Sequence, residues 1–178
     1  MSLVHGFPPV AAADARILVL GSMPGQASLD AVRYYAHPRN AFWRIMGELL
    51  RFAPELPYEQ RLQRLTAAGI ALWDVIAACE RYGSLDADIV AGSVQANDFA
   101  GFFATHPGIS RIYFNGMAAE TAFRRHVQPG LAGRLPPQHR LPSTSPAHAA
   151  RGYAEKLSAW SVIVAPDKPV AAAYNRPL

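Results

Sequence analysis

The chain has 178 residues, 51% of them hydrophobic and 17% charged, with a formal net charge of +4 and one cysteine, Cys79. This length and composition predict a single globular domain with a sizeable core, and one cysteine excludes both an internal disulfide and a four-cysteine iron–sulfur cluster. No apolar stretch is long enough to cross a membrane and the six histidines are scattered, so we expect no metal, no cofactor and no membrane attachment. A cytoplasmic monomer is the expected form of such a chain.

The first predicted strand is the apolar run 17–20, which follows a short lead-in at residues 1–14. Four branched residues without polar alternation are typical of a strand buried in a parallel sheet. The run ends in a loop whose residues are Gly21, Ser22, Met23, Pro24 and Gly25. The free N–H groups of such a loop can bind an anion or a polar base edge, although glycines that only permit a tight turn would give the same pattern.

Residues 34–43, with the sequence Y-Y-A-H-P-R-N-A-F-W, are too polar for a core and too aromatic for an ordinary surface loop. They predict a pocket wall that stacks on a flat ring and offers an amide to it. A helix over residues 39–51 is predicted next, because apolar side chains recur there at helical spacing.

The rest of the chain alternates between the two kinds of element. Predicted strands cover 69–76, 111–116 and 139–141, and predicted helices cover 58–68, 97–104, 117–127 and 151–159. Residues 79–86 are polar and predict a surface loop, and the proline-containing tail after residue 166 predicts poor order.

This alternation predicts a three-layer α/β/α sandwich with a central four-stranded, mostly parallel sheet. The carboxyl ends of parallel strands meet at one edge of a sheet, where ligands bind. We therefore expect the loops 21–25, 74–77, 115–117 and 142–148 to converge on one site.

Three motifs together resemble the uracil-DNA glycosylase superfamily, and its hypoxanthine-DNA (deoxyinosine) glycosylase branch in particular. They are G-S-M-P-G, then Y-Y-A-H-P-R-N-A-F-W-R, and later L-P-S-T-S-P-A-H. The resemblance extends from about residue 17 to residue 160. It implies an enzyme of DNA repair that hydrolyses the N-glycosidic bond of deaminated bases, hypoxanthine first, with uracil and xanthine as further candidates. Enzymes of this kind swing the target base out of the duplex into a pocket.

The resemblance implies that Asn40 is the catalytic residue, because it matches the branch's asparagine before A-F-W. An amide is a poor base, so Asn40 would position water and stabilise charge in an oxocarbenium-like transition state. A helix N-cap is the other interpretation of this residue. Met23 occupies the motif position where the uracil- and mismatch-specific branches carry a water-activating Asp or Asn, so we do not expect uracil removal by their route.

Two further residues are expected to contact the base. Tyr35 would stack on it, although a core tyrosine is the alternative and Tyr34 shares this ambiguity. Asp74 lies where the uracil-specific branch carries a base-reading asparagine. A carboxylate there would accept N1–H of hypoxanthine or N3–H of uracil and would repel the lone pair of adenine N1 or cytosine N3. An Asp that caps the next helix is equally compatible with this position. With Gly21, Ser22, Met23, Pro24 and Gly25, these two residues form the predicted base pocket.

The last motif is expected to grip DNA. Ser143, Thr144 and Ser145 offer small hydroxyls to phosphates, and His148 just beyond them either contacts a phosphate or lies on the surface. Leu141 stands where the uracil-specific branch has a catalytic histidine. Both lysines, Lys156 and Lys168, come after these loops, which favours simple hydrolysis over a Schiff-base mechanism that also cuts the strand.

Two other classes of protein remain compatible with the sequence. Ser22, Asp74 and His148 occur in the order of an α/β-hydrolase triad, although G-S-M-P-G is not a nucleophile elbow. A non-catalytic domain that binds DNA or nucleotides would use the same loops without releasing a base.

Overall fold

The computed structural model describes residues 2–133 and 135–165. The tail after residue 166, for which poor order was predicted, lies outside them. The strands are β1 (Ser2–His5), β2 (Ile17–Gly21), β3 (Ile70–Asp74), β4 (Ile76–Arg81), β5 (Gln95–Ala96), β6 (Arg111–Asn115) and β7 (Gln138–Leu141). The α-helices are α1 (Gln26–Ala31), α2 (Phe42–Leu50), α3 (Tyr58–Ala67), α4 (Phe99–Thr105), α5 (Met117–His126) and α6 (Tyr153–Trp160).

A parallel four-stranded sheet in the order β3–β2–β6–β7 forms the centre of the molecule. In register, Ile17 of β2 lies beside Ile70 of β3 on one side and Arg111 of β6 on the other. Every residue of β2 and β3 is buried, as their unbroken apolar sequences require when both faces of a sheet are covered. The predicted central sheet is confirmed.

Helices cover both faces of this sheet because alternate strand residues point to opposite sides. Leu18 and Leu20 pack with α4 and α5, whereas Val19 packs with α2, α3 and α6. Aromatic side chains from the helices fill both layers, with Phe99 and Phe123 on one side and Phe42 and Trp160 on the other. The predicted three-layer α/β/α sandwich is therefore confirmed. None of the helices in the described ranges could span a membrane.

A second, antiparallel sheet in the order β1–β4–β5 was not predicted. The surface loop expected at residues 79–86 is wrong for its first three residues, which belong to β4, and Cys79 and Arg81 are buried there. The polar sequence of β4 did not indicate a strand. The strand is stabilised by backbone hydrogen bonds to β1, in the predicted lead-in, and to the two-residue β5. Only Val75 separates β4 from β3, so the chain passes directly from one sheet to the other.

The segment between β2 and α2 also differs from the prediction. A short helix, α1, follows the glycine-rich loop and ends at Ala31, and its C-cap residue, Val32, has φ +51°. The next helix begins at Phe42 rather than at residue 39, because the backbone first turns so that Asn40 N–H donates to the His37 carbonyl at 2.8 Å.

Candidate active site

The carboxyl ends of β2, β3, β6 and β7 open into one cleft of about 870 Å³. All of the predicted site residues line it: Gly21, Ser22, Met23, Pro24, Gly25, Tyr35, Asn40, Asp74, Ser143, Thr144, Ser145 and His148. The loops therefore converge as the strand order predicts. The roles assigned to these residues stay predictions.

Gly21 forms the floor of the cleft, where the close approach of two polar side chains requires a glycine. A Cβ atom at this position would overlap Asp74 Oδ1 and would lie 3.2 Å from the Tyr35 hydroxyl. The missing side chain thus leaves both groups facing the same small space.

Asp74 ends β3 and is only 3% exposed. Its Oδ2 atom is buried without a hydrogen-bond partner, and its side chain caps no helix among the described residues. Burial, with a smaller contribution from the charge of Asp86, raises the pKa of the Asp74 carboxyl to about 7. A buried carboxyl group that no protein donor satisfies is costly to the fold, and such groups are typical of functional sites.

Tyr35 holds a left-handed backbone conformation, with φ +54°, that is uncommon for a residue with a side chain. Its ring stacks on Phe42 at 4.1 Å between centroids. Its buried hydroxyl makes no hydrogen bond in the described part of the chain. Burial and the charge of Asp74 raise the pKa of this hydroxyl, and the nearby Asn115 amide counters part of the increase without reaching hydrogen-bond geometry.

The structure separates the two tyrosines that the sequence could not orient. Tyr34 is 3% exposed, and its hydroxyl donates to the Pro8 carbonyl at 3.1 Å. Its ring packs edge-on against Phe7, 5.3 Å away between centroids. Tyr34 therefore anchors the segment in the core, whereas the Tyr35 hydroxyl lies beside Gly21 and Asp74.

Asn40 lies on the turn before α2, at the rim of the cleft. Its Oδ1 atom accepts the Phe42 N–H at 3.0 Å, which resembles the capping interaction proposed as the alternative, although Ala41 is the N-cap residue. The Nδ2 group makes no hydrogen bond within the described ranges. The bond to Phe42 fixes the orientation of the amide, so this contact with the start of α2 is compatible with a catalytic role.

The serine–proline loop, residues 142–148, is supported from three directions. Asn115 binds Thr144, the Trp160 indole donates to the Pro142 carbonyl at 2.9 Å, and the Lys156 amine donates to the His148 carbonyl at 2.8 Å. Thr144 is 1% exposed, so its side chain faces the protein. Ser143, Ser145 and His148 are partly exposed and remain accessible from the cleft.

Sequence reasoning missed a second wall of the cleft, formed by Ser84, Leu85 and Asp86. The Ser22 hydroxyl donates to Asp86 Oδ1 at 2.5 Å, and the Arg81 guanidinium below donates to the Pro24 carbonyl at 2.9 Å. These contacts join residues about 60 positions apart in the sequence, so they could have been predicted only from information about which distant residues contact each other in the fold. Asn115 was expected in one of the converging loops, at 115–117, but the sequence analysis gave it no role.

The contacts of Ser22 argue against the hydrolase alternative. Its hydroxyl is bonded to a carboxylate, and no histidine forms a hydrogen bond with it in the described residues. A serine nucleophile needs such a base. The same part of the chain contains no group of three metal-binding side chains.

Comparison with known proteins identifies the family. The model of the Uracil DNA glycosylase superfamily matches residues 8–165. The chain belongs to this superfamily. The predicted family and the predicted class of enzyme, a DNA glycosylase, are thereby confirmed.

Individual relatives agree with this assignment. A protein named Hypoxanthine DNA glycosylase from Methanosarcina acetivorans is 35% identical over 160 residues, which cover 89% of this chain and 96% of the relative. Another of that name from Methanosarcina barkeri is 38% identical over 113 residues, covering 63% and 70%. A solution NMR structure of a uracil DNA glycosylase candidate from Methanosarcina acetivorans has a TM-score of 0.72 and 31% identity, covering 92% of this chain and all of that one.

Proposed function

We propose that this protein hydrolyses the N-glycosidic bond of deaminated bases in DNA, with hypoxanthine as its main substrate and uracil and xanthine as weaker ones. The observation that carries the proposal is the unsatisfied, buried Asp74 carboxyl at the floor of a cleft that also holds Asn40. The names of the two Methanosarcina relatives support the choice of hypoxanthine.

Two polar atoms at the floor select the base. A flipped hypoxanthine offers N1–H and, beside it, the O6 carbonyl. Ionised Asp74 accepts the N1–H, and the Tyr35 hydroxyl donates to O6, a role different from the stacking on the base that the sequence predicted. Adenine presents a lone pair at N1, which the carboxylate repels, and an amino group at C6, to which the Tyr35 hydroxyl cannot donate. The pair therefore favours the deaminated purine over its parent.

Asn40 acts on the water that attacks C1′ of the sugar. The Phe42 N–H holds its Oδ1 atom, whose second lone pair can accept a hydrogen bond from the water, and Nδ2 is left to donate. The bond from C1′ to the base nitrogen breaks with both electrons going to the base, and the water oxygen bonds to the oxocarbenium-like carbon. The amide takes no proton; this passes to the departing base or to solvent.

The serine–proline loop holds the DNA on either side of the flipped nucleotide. Ser143, Ser145 and His148 bind phosphates at the rim, where hydroxyls and imidazole form short hydrogen bonds. Lys156 is not among the residues lining the cleft, and its amine is bonded to a loop carbonyl. The product is therefore an abasic site in an unbroken strand. The enzyme acts as a cytoplasmic monomer.

The test is base release from oligonucleotides that carry hypoxanthine, uracil or xanthine, with alkali used to cleave the abasic product. We expect the protein to act on hypoxanthine first, Asn40→Ala to lose about 100-fold or more of the rate, and Asn40→Asp to retain part of it. Asp98→Ala is the matched control, because the Asp98 side chain likewise accepts a backbone N–H at the start of a helix, from Gly101 at 2.9 Å, but lies outside the cleft. DNA binding without release of any base would instead identify a non-catalytic domain.

A further inference from the structure

Asn115 ends β6, lines the cleft, and uses both polar atoms of its amide on one residue. Its Oδ1 accepts the Thr144 N–H at 2.8 Å, and its Nδ2 donates to Thr144 Oγ1 at 2.9 Å. Thr144 is 1% exposed, so these bonds are shielded from water. A two-point bond of this kind fixes the orientation as well as the position of the peptide it holds.

The same threonine is bonded to the segment that carries Asn40. The Thr144 carbonyl accepts the Ala41 N–H at 3.0 Å, and Ala41 directly follows Asn40. Hydrogen bonds thus run without a break from the end of β6 to the backbone beside the proposed catalytic amide. The backbone next to Asn40 is held by the Thr144 carbonyl, and the side chain of Asn40 is held by the Phe42 N–H.

Gly116 gives independent evidence that the loop is fitted to the end of β6. Its φ is +94°, and a Cβ atom there would lie 2.8 Å from the Ser143 Cβ, closer than two such atoms can approach. The serine–proline loop therefore packs directly on the Asn115–Gly116 backbone, with no room for a side chain between them.

We infer that Asn115 is a positioning residue, which holds the DNA-gripping loop in place and, through Thr144, sets the position of Asn40. The inference rests on the proposed function, in which Asn40 acts on the attacking water. An error of about 1 Å in the position of a reacting group can cost about 100-fold in rate, so the loss of this link affects bond cleavage more than DNA binding.

Three variants test the inference. Asn115→Leu removes both bonds at similar volume, Thr144→Val removes only the hydroxyl, and Thr144→Ser keeps it. The measurements are the single-turnover rate of hypoxanthine release at saturating enzyme, the affinity for an oligonucleotide with an abasic site, and the midpoint of urea unfolding. We expect Asn115→Leu to be about 100-fold slower with less than fivefold change in affinity, and Thr144→Ser about tenfold faster than Thr144→Val. The double variant Asn115→Leu/Thr144→Val should be no slower than Asn115→Leu alone.

Ser93→Ala is the control for lost stability. The Ser93 hydroxyl accepts the Glu80 N–H at 2.7 Å and donates to the Val90 carbonyl at 2.7 Å, outside the cleft. Its loss should lower the unfolding midpoint and leave the rate unchanged.

The outcomes separate this inference from the function it rests on. If the wild-type protein releases no base, the proposed function fails and the inference with it. If the wild-type protein is active and Asn115→Leu stays within threefold of its rate, the inference alone is overturned. It is overturned equally if the loss lies in DNA affinity, or if Thr144→Ser and Thr144→Val are equally slow. Should Asn115→Leu not fold, the two threonine variants decide.

Discussion

The substitution Asp74→Asn should make the protein more resistant to unfolding at neutral and alkaline pH while it impairs base release. Burial raises the pKa of this carboxyl from its ordinary 3.8 to about 7, so the folded protein holds a proton that the unfolded chain has already lost. Between these two pH values the folded state binds more protons, and the free energy of unfolding therefore falls as the pH rises. An amide has no charge to bury and removes this dependence.

The size of the effect follows from the two pKa values. A tenfold change in proton affinity corresponds to ~1.4 kcal/mol, so a rise from 3.8 to about 7 corresponds to ~4 kcal/mol. That amount should be lost from the wild-type protein between pH 4 and pH 8. For a domain of this size it corresponds to roughly 8–16 °C in the unfolding midpoint. The amide of an asparagine still has unpaired polar atoms at this buried position, and this also affects the free energy of unfolding. The informative quantity is therefore how the difference in unfolding free energy between the variant and the wild-type protein changes with pH.

The assay is urea unfolding of both proteins at pH 4, 6 and 8, read by circular dichroism. We expect the free energy of unfolding of the variant, relative to that of the wild-type protein, to increase from pH 4 to pH 6 and again to pH 8, by ~4 kcal/mol in total. An equal difference in unfolding free energy at all three pH values would refute the reasoning. It would mean that the carboxyl keeps its ordinary pKa, and hence that an unseen partner satisfies it.

Three further outcomes follow from the same site. The wild-type rate of hypoxanthine release should rise with pH and level off above about pH 7, as Asp74 ionises, whereas Asp74→Asn should be slower and lack this dependence. Gly21→Ala should lose at least about 100-fold of the activity because its Cβ would fill the floor, whereas Gly92→Ala, with nothing within 4 Å of the added atom, should change nothing. Borohydride added during turnover should trap no protein–DNA adduct, since the Lys156 amine is bonded to the His148 carbonyl; a trapped adduct would contradict simple hydrolysis.

The sequence was sufficient to predict the central sheet and the residues that surround its edge. Apolar runs at β2, β3 and β6, with helices in the segments between them, leave few arrangements other than a parallel sheet, and a parallel sheet brings its strand ends together. The sequence therefore predicts that Asp74 and the glycine-rich loop belong to one site.

What the sequence could not reveal depends on contacts between distant segments. The polar strand β4 is stabilised by backbone hydrogen bonds to β1 and β5, and the periodicity of its own sequence does not indicate those partners. The two hydrogen bonds between Asn115 and Thr144 join residues that are 29 positions apart in the sequence. An asparagine at a strand end cannot be distinguished from an ordinary turn residue by its type and place alone. The orientation of Tyr35 depends on a left-handed backbone that its residue type does not favour.

Almost all of the backbone carbonyls of the glycine-rich loop already accept hydrogen bonds from other parts of the protein. Val75 and Ile76 N–H groups occupy the Gly21 and Ser22 carbonyls, Arg81 occupies that of Pro24, and the first turn of α1 occupies that of Gly25. Among the described residues, the N–H groups of Met23 and Gly25 have no acceptor, so the loop can offer hydrogen to a guest but little electron density. Deamination exchanges an amino group for an oxygen. N–H groups without an acceptor can donate to that oxygen, but they have nothing to accept from the original amino group.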